Sequence, residues 1–288
     1  MSAQDAQTGA VSAQEGVTPA TLTEMAVEVL STAEGRAKTA LSHAHAARWF
    51  AARAAGTPIP VGTASPPQRP ARPEKPDLLP PRDVPRRRTG SPEGRIALLH
   101  AVAHIELNAV DLHWDIIARF GETPMPMGFY GDWVKAADEE SKHFNLLCDR
   151  LEAMGSFYGA LPAHAGMWQA AEDTAEDLQG RLAVVPMVLE ARGLDVTPGM
   201  IDIFTKAGEA ETVAALQVIY AEEVGHVAYG SKWFNWLCGR EGSDPKEVFH
   251  SLVRRYFHGP LKPPFNEEKR AEAGLPPDFY WPLTEDAD

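Results

Sequence analysis

Cysteine is nearly missing from this chain: Cys148 and Cys238 are the only two in 288 residues. That excludes a disulfide scaffold and a Cys-rich zinc or iron–sulfur site. Long hydrophobic runs are missing too. No stretch approaches the roughly 18 uninterrupted apolar residues of a membrane-spanning helix. The opening MSAQDAQTGAVSAQEG has neither the basic nor the apolar region of an export signal, so the expectation is a soluble, cytoplasmic protein without a membrane. Basic charge is in deficit, with 27 Lys+Arg against 40 Asp+Glu and a formal net charge of −13. A dedicated nucleic-acid binder needs clustered Lys and Arg, and Arg82 to Arg88 offers just one such patch. Period-2 alternation bounded by turn signals is not convincing anywhere, so strands are not needed and the expected fold class is all-α. What is present, 44% hydrophobic and 23% charged residues, suits a globular protein with a sizeable core. The length fits one large domain with appendages or two modest ones.

Residues 1–20 are small and polar, and are expected to be disordered. Residues 21–56 have helical spacing broken at Gly35, which makes one or two helices. Residues 57–92 hold 11 of the 24 prolines and read as an extended strap or linker. Residues 93–240 form the helical body. Ser91-Pro92-Glu93 reads as an N-cap, a proline at the first helical position and an acid in the first turn. The first long helix runs from there to about Phe120, and a second covers about Asp132 to Met154. A third runs from about Met167 to Arg192, stopped by Gly193. A fourth region, Pro198 to Gly239, holds a short helix and then a long one starting near Glu209. Residues 241–288 give one more helix, opened by Asp244-Pro245, and an irregular tail.

Several acids stand on the apolar faces of these helices. Glu106 interrupts the stripe Ile96, Leu99, Ala103, Val110, His113, Ile117. Glu140 and His143 interrupt Trp133, Ala136, Leu147, Leu151. Glu223 and His226 interrupt Leu216, Ile219, Gly230, Trp233, and Glu190 is bordered by Ala183, Met187 and Leu194. An unpaired buried carboxylate costs several kcal/mol or takes up a proton, and four close together also repel. Two divalent cations would offset that charge. Oxygen and imidazole donors suit paired iron, with manganese as the second possibility. Glu and His three apart share a helix face, and two such pairs with a glutamate from each of two other helices form a dinuclear ligand set. Glu-x-x-His alone is a weak signal, because chance supplies about one match in a chain with 24 Glu and 10 His. The third match, Glu247 to His250, reads as a capping box opened by Asp244. The other two are supported by their context. Glu106 to Glu140 is 34 residues and Glu190 to Glu223 is 33, so two helix pairs of similar design follow each other.

With HIELNAVDLHWD (104–115), DEESKHFNLL (138–147), VVPMVLEARGLD (184–195) and YAEEVGHVAYG (220–230), the chain resembles the ferritin-like superfamily over about residues 93–240. Its helix order and tail are most similar to an uncharacterised bacterial ferritin-like family of unknown function. The resemblance implies a ferritin-like four-helix bundle to which the N-terminal helices and strap are additions. It also implies Glu106 and Glu190 as terminal ligands, Glu140 and Glu223 as bridging ligands, and His143 and His226 as one imidazole per metal. The implied activity is that of a di-iron oxidoreductase using dioxygen or peroxide to oxidise or hydroxylate a small-molecule substrate, with an unidentified electron donor. Two Glu-x-x-His motifs favour this over a storage ferritin, whose centre generally lacks the second histidine. The alternative is metal storage, detoxification or manganese-catalase-like peroxide scavenging without an organic substrate. The strap and tail would cover the faces a cage needs, so a monomer or homodimer is expected.

Other residues carry weaker signals. Glu139 and Glu222 either accept a hydrogen bond from the outer ring nitrogen of the opposite ligand histidine, or are exposed acids on the helix flanks. His113 either lines the pocket or is a hydrogen-bonded core histidine, the second being favoured. Tyr229 is a possible pocket contact, weighed against core packing. His100, His104, Trp133, Trp233 and Met187 read as structural, Tyr220 flanks the fourth-helix motif, and the cysteines are assigned no chemistry. Pro186 predicts a kink four residues before Glu190. Gly225 predicts a close backbone approach.

Overall fold

The computed structural model describes residues 18–85 and 89–285. The expectation for the first 20 residues falls largely outside them, and that for Arg86, Arg87 and Arg88 wholly so. Among the described residues the protein is all-α, with one isolated bridge between Leu78 and Ala163. No helix among them is long and apolar enough to cross a membrane.

The N-terminal segment makes two helices, α1 (Leu22–Ser31) and α2 (Gly35–Ala54). Thr21 and Glu24 form a capping box at the start of α1, and Glu34 caps α2. The break therefore lies at Thr32–Glu34, and Gly35 opens the second helix instead of ending the first. The proline strap then runs back along α1. The backbone N–H groups of Leu22 and Thr23 donate to Pro60 O and Val61 O, and that of Ala71 donates to Leu30 O.

Helix α3 (Pro92–Arg119) starts where the cap signal places it, with the Ser91 hydroxyl accepting the N–H of Gly94. Helix α4 (Met127–Ala153) begins five residues before the expected Asp132. Gly128 and Gly131, poor helix formers, hide that start in the sequence, while buried Phe129 and Trp133 anchor it.

The third helix departs most from expectation. It is divided into α5 (Gly166–Asp173), α6 (Leu178–Val184), a π-helical segment Val185–Glu190, and α7 (Ala191–Lys206). Asp177 caps the restart by accepting the N–H of Gly180. The kink expected at Pro186 takes the form of the π segment. Proline cannot continue the α hydrogen-bond ladder, and a π turn absorbs the missing bond. Gly193 does not stop the helix, and Pro198 lies inside α7 instead of opening a new one. Its ring frees the carbonyl of Leu194, which accepts a hydrogen bond from Asn266 Nδ2 at 3.1 Å.

Helix α8 (Ala210–Glu241) begins after Glu209 as expected. It runs past Gly239 to Gly242, which takes the left-handed conformation (φ 68°) that glycine adopts at a helix end. Helix α9 (Pro245–Tyr256) is capped by Asp244. The tail is less irregular than expected, because it forms short helices α10 (Glu267–Glu272) and α11 (Pro277–Tyr280). Phe279 and Tyr280 are buried on the body.

Four helical rods thus lie side by side: α3 on α4, α4 on α8, and α8 on the α6–π–α7 rod. Helix α1 covers α3, α2 covers α4, and the tail covers α8. The π segment meets α8 at Gly230, where an added Cβ would lie 2.5 Å from the Pro186 ring. A close approach does occur on this helix, therefore, but at Gly230. Gly225 has nothing nearer than 3.9 Å.

Candidate metal centre

Each rod contributes an acid to one buried cluster. Glu106 and His113 come from α3, Glu140 and His143 from α4, Glu190 from the end of the π segment, and Glu223 and His226 from α8. All seven are buried. Their side chains fall into two groups in which one N or O atom per residue lies within 4.8 Å of the others. One group is Glu106, Glu140, His143 and Glu223; the other is His113, Glu190 and His226.

Glu140 and Glu223 face both groups. Glu140 Oε2 lies 3.3 Å from His143 Nδ1, and its Oε1 lies 2.9 Å from His226 Nδ1 and 3.6 Å from His113 Nε2. Glu223 Oε1 is 3.9 Å from His143 Nδ1 and 3.6 Å from His226 Nδ1. Glu106 Oε2 is 3.3 Å from His143 Nδ1, and Glu190 Oε1 is 3.6 Å from His113 Nε2.

The outer nitrogens of the two Glu-x-x-His imidazoles are held across the α4–α8 contact. His143 Nε2 donates to Glu222 Oε2 at 2.8 Å, and His226 Nε2 donates to Glu139 Oε2 at 3.2 Å. Each outer acid also meets a lysine of α4, Glu222 pairing with Lys142 at 2.5 Å and Glu139 with Lys135. Of the two readings of Glu139 and Glu222, the geometry is that of the hydrogen-bond acceptor. With the proton fixed on Nε2, Nδ1 is the nitrogen that faces the cluster.

Many donor atoms in the cluster have no hydrogen-bond partner. Both oxygens of Glu190, both nitrogens of His113, Glu140 Oε1 and His226 Nδ1 are buried and unsatisfied. Buried polar atoms are normally bonded, so this concentration at one place calls for an explanation. Electrostatics point the same way. Burial pushes Glu106 and Glu190 well above the usual carboxylate range, reinforced by Glu140 beside the first and Glu223 beside the second. Burial and Glu140 push Glu223 up as well. Burial also works to raise Glu140, but contacts with Glu106, His113 and His143 outweigh it and hold that carboxyl well down. For His143 and His226 burial opposes the charged form, yet the surrounding glutamates raise both imidazoles well above their usual range. The donors are oxygen-rich with imidazole nitrogen, unpaired and mutually close, so they fit divalent iron or manganese.

His113 differs from the favoured sequence reading. It is not a hydrogen-bonded core histidine, since neither ring nitrogen has a partner, and it stacks on Trp133 with ring centroids 5.3 Å apart. Its place two helical turns beyond Glu106 was the available signal. Tyr229 packs beside His226 and edge-on to Trp133, at 6.5 and 6.4 Å.

A cavity of about 440 Å³ opens between α3 and α7 and reaches all four carboxylates of the cluster. Its walls are apolar, with Val102, Leu189, Met200 and Ile219 among them. Ile105 and Val196 form part of the lining while 43% and 37% exposed, which marks the outer end. Neither His113 nor Tyr229 lines this cavity, contrary to their candidacy as pocket residues, because both stand on the Trp133 side of the cluster.

The remaining candidates are structural. His100 Nε2 accepts the N–H of Gly159, and His104 bonds the Tyr158 hydroxyl and His164 O. His250, of the third Glu-x-x-His, bonds Asp278 O and Phe279 O. The Tyr220 hydroxyl accepts from Asn266 Nδ2 at 2.6 Å. Cys148 and Cys238 are buried and free, and burial pushes the Cys148 thiol up to about 12.

Residues 31–281 match a family described as "Protein of unknown function (DUF455)", and the chain belongs to it. An uncharacterized protein of Haemophilus influenzae is 41% identical over 208 residues, which cover 70% of this chain and 72% of that protein. No solved structure matches. These matches agree with the sequence resemblance at the level of a bacterial family of unknown function.

Proposed function

We propose that this protein is a ferritin-like dinuclear metal protein, loaded with iron or alternatively manganese, that uses dioxygen or peroxide to oxidise or hydroxylate a small organic substrate. The observation that carries this reading is the set of buried, partnerless donors converging from four rods on one place. Glu106 and His143 would hold one ion, and Glu190 and His226 the other. Glu140 and Glu223 would stand between them, with His113 as a further nitrogen on the second side. The bound ions would supply the Lewis acidity and the electrons for activating dioxygen or peroxide.

The protein's own part is positional. Glu222 and Glu139 fix the tautomer and rotation of the two imidazoles, and Lys142 and Lys135 hold those acids in turn. Stacking on Trp133 restrains His113. The apolar cavity supports an organic substrate over ion storage, because hydrated ions in transit would need polar walls. The covering of the rods by α1, α2 and the tail supports a monomer or homodimer over a cage.

Elemental analysis after anaerobic iron loading tests the reading, with two ions per chain expected. Glu140→Ala and Glu223→Ala should each lose them. Retention of two ions by either variant would remove the ligand assignment. Rapid oxygen evolution from peroxide by the manganese-loaded protein would favour the scavenging alternative.

A further inference from the structure

The cavity beside the cluster has an apolar body and a fixed positive charge at its rim. Arg192, in the first turns of α7, lines it two residues after Glu190. Its Nη1 donates to two neutral acceptors of the tail, Lys262 O at 2.8 Å and Pro264 O at 3.1 Å. These bonds hold the guanidinium in place without neutralising it. The acid paired with it, Asp195, has a fully buried side chain that is already engaged. Arg270 grips it through Nε at 2.9 Å and Nη2 at 2.6 Å, and the backbone N–H of Asn266 donates to it at 2.8 Å. Asp195 reaches Arg192 only at 3.4 Å. One acid therefore faces two guanidiniums, and the Arg192 side chain is 41% exposed. In a chain of net charge −13, a preorganised cation at the mouth of an apolar cavity is a recognition feature.

We propose that this cavity binds a medium-chain aliphatic monocarboxylate, with the carboxylate at Arg192 and the apolar chain among Val102, Leu189, Met200 and Ile219, alongside Glu106 and Glu190. This names the substrate class of the centre and, for the chemistry, rests on the dinuclear reading; binding itself does not. Besides Arg192 and the cluster carboxylates, the polar lining residues are His164 and Thr197, and the rest of the wall is apolar. A long, singly charged amphiphile matches that distribution, and a sugar, nucleotide or diacid does not.

The test is calorimetric titration of the full-length protein, its metal content measured on the same sample, with hexanoate, octanoate, decanoate and dodecanoate, and with decan-1-ol as the uncharged control. Each added methylene should tighten binding about fourfold until the cavity is full, after which the gain stops. Ala101→Trp and Val196→Trp, at exposed positions of the lining, should each weaken decanoate at least tenfold with metal content unchanged. Arg192→Gln should abolish the preference for decanoate over decanol and leave the dependence on chain length. The proposal is overturned by the absence of saturable binding, by affinity independent of chain length, or by wild-type affinity in both tryptophan variants. An undiminished carboxylate preference in Arg192→Gln overturns the head-group assignment. Two bound metals without decanoate binding would overturn this proposal alone. Decanoate binding without metal would support it and remove the dinuclear reading.

Discussion

Two faces of α3 bury polar side chains to nearly the same depth and treat them in opposite ways. On one face His100, His104, Asn108, Asp111 and Asp115 run at steps of three and four, all buried. His100 and His104 are bonded to Gly159, Tyr158 and His164. Asn108 takes Arg72 at 3.1 Å, Asp111 pairs with buried Lys38, and Asp115 receives Arg119 and Arg181. On the other face Glu106 and His113 enter the cluster, where His113 has no bond and Glu190 beside it has none either. Burial alone therefore does not separate the two faces. Hydrogen bonding does: the polar side chains of the first face are finished, each bonded to a neighbour, whereas His113 and Glu190 are not.

The largest effect expected from breaking this contrast is on the finished face. Asp115→Ala strands the charge of Arg181, fully buried, with only Thr174 Oγ1 and Ala171 O as acceptors. It should destabilise the metal-free protein by about 3–5 kcal/mol in urea denaturation. Next comes acid sensitivity. Burial holds His100 and His104 down at about 4 in the folded protein, against about 6.5 unfolded. The unfolded chain therefore takes up these protons first. The stability they contribute is complete above pH ~6.5, falls as the pH drops from there to about 4, and changes no further below. The loss should be on the order of 1–3 kcal/mol per imidazole. Urea midpoints across that range should fall less steeply in His104→Gln than in the parent.

A smaller effect, about 1–3 kcal/mol, is expected from Gly230→Ala, whose added methyl meets the Pro186 ring and must push the π segment off α8. The smallest is at Glu190 itself. Neither of its oxygens is hydrogen-bonded and burial disfavours its charged form, so Glu190→Gln should cost the metal-free protein no stability. A cost for Glu190→Gln equal to that for Asp115→Ala would erase the distinction between the two faces.

The cluster was legible in the sequence because its geometry is local. Glu140 with His143, and Glu223 with His226, are three residues apart on one helix face, and Glu106 and Glu190 break apolar stripes; the fold brings all six together. Helix starts with side-chain caps and a following proline, Ser91-Pro92 and Asp244-Pro245, were legible for the same reason. What the sequence hid depends on distant partners. Pro198 sits within a helix because Asn266, 68 residues later, satisfies the carbonyl it frees. The break between α5 and α6 carries no glycine or proline and rests on the Asp177 cap. The spacing of His113 marked its face but could not tell a bonded core imidazole from an unbonded one, since that depends on what three other rods place around it.

Whether the cluster is a site for two metal ions is decided by anomalous diffraction at the iron edge from crystals of the iron-loaded protein. Two peaks are expected inside the cluster, one beside Glu106 and His143 and the other beside Glu190, His226 and His113. Iron-loaded crystals with no peak among these residues would contradict that assignment.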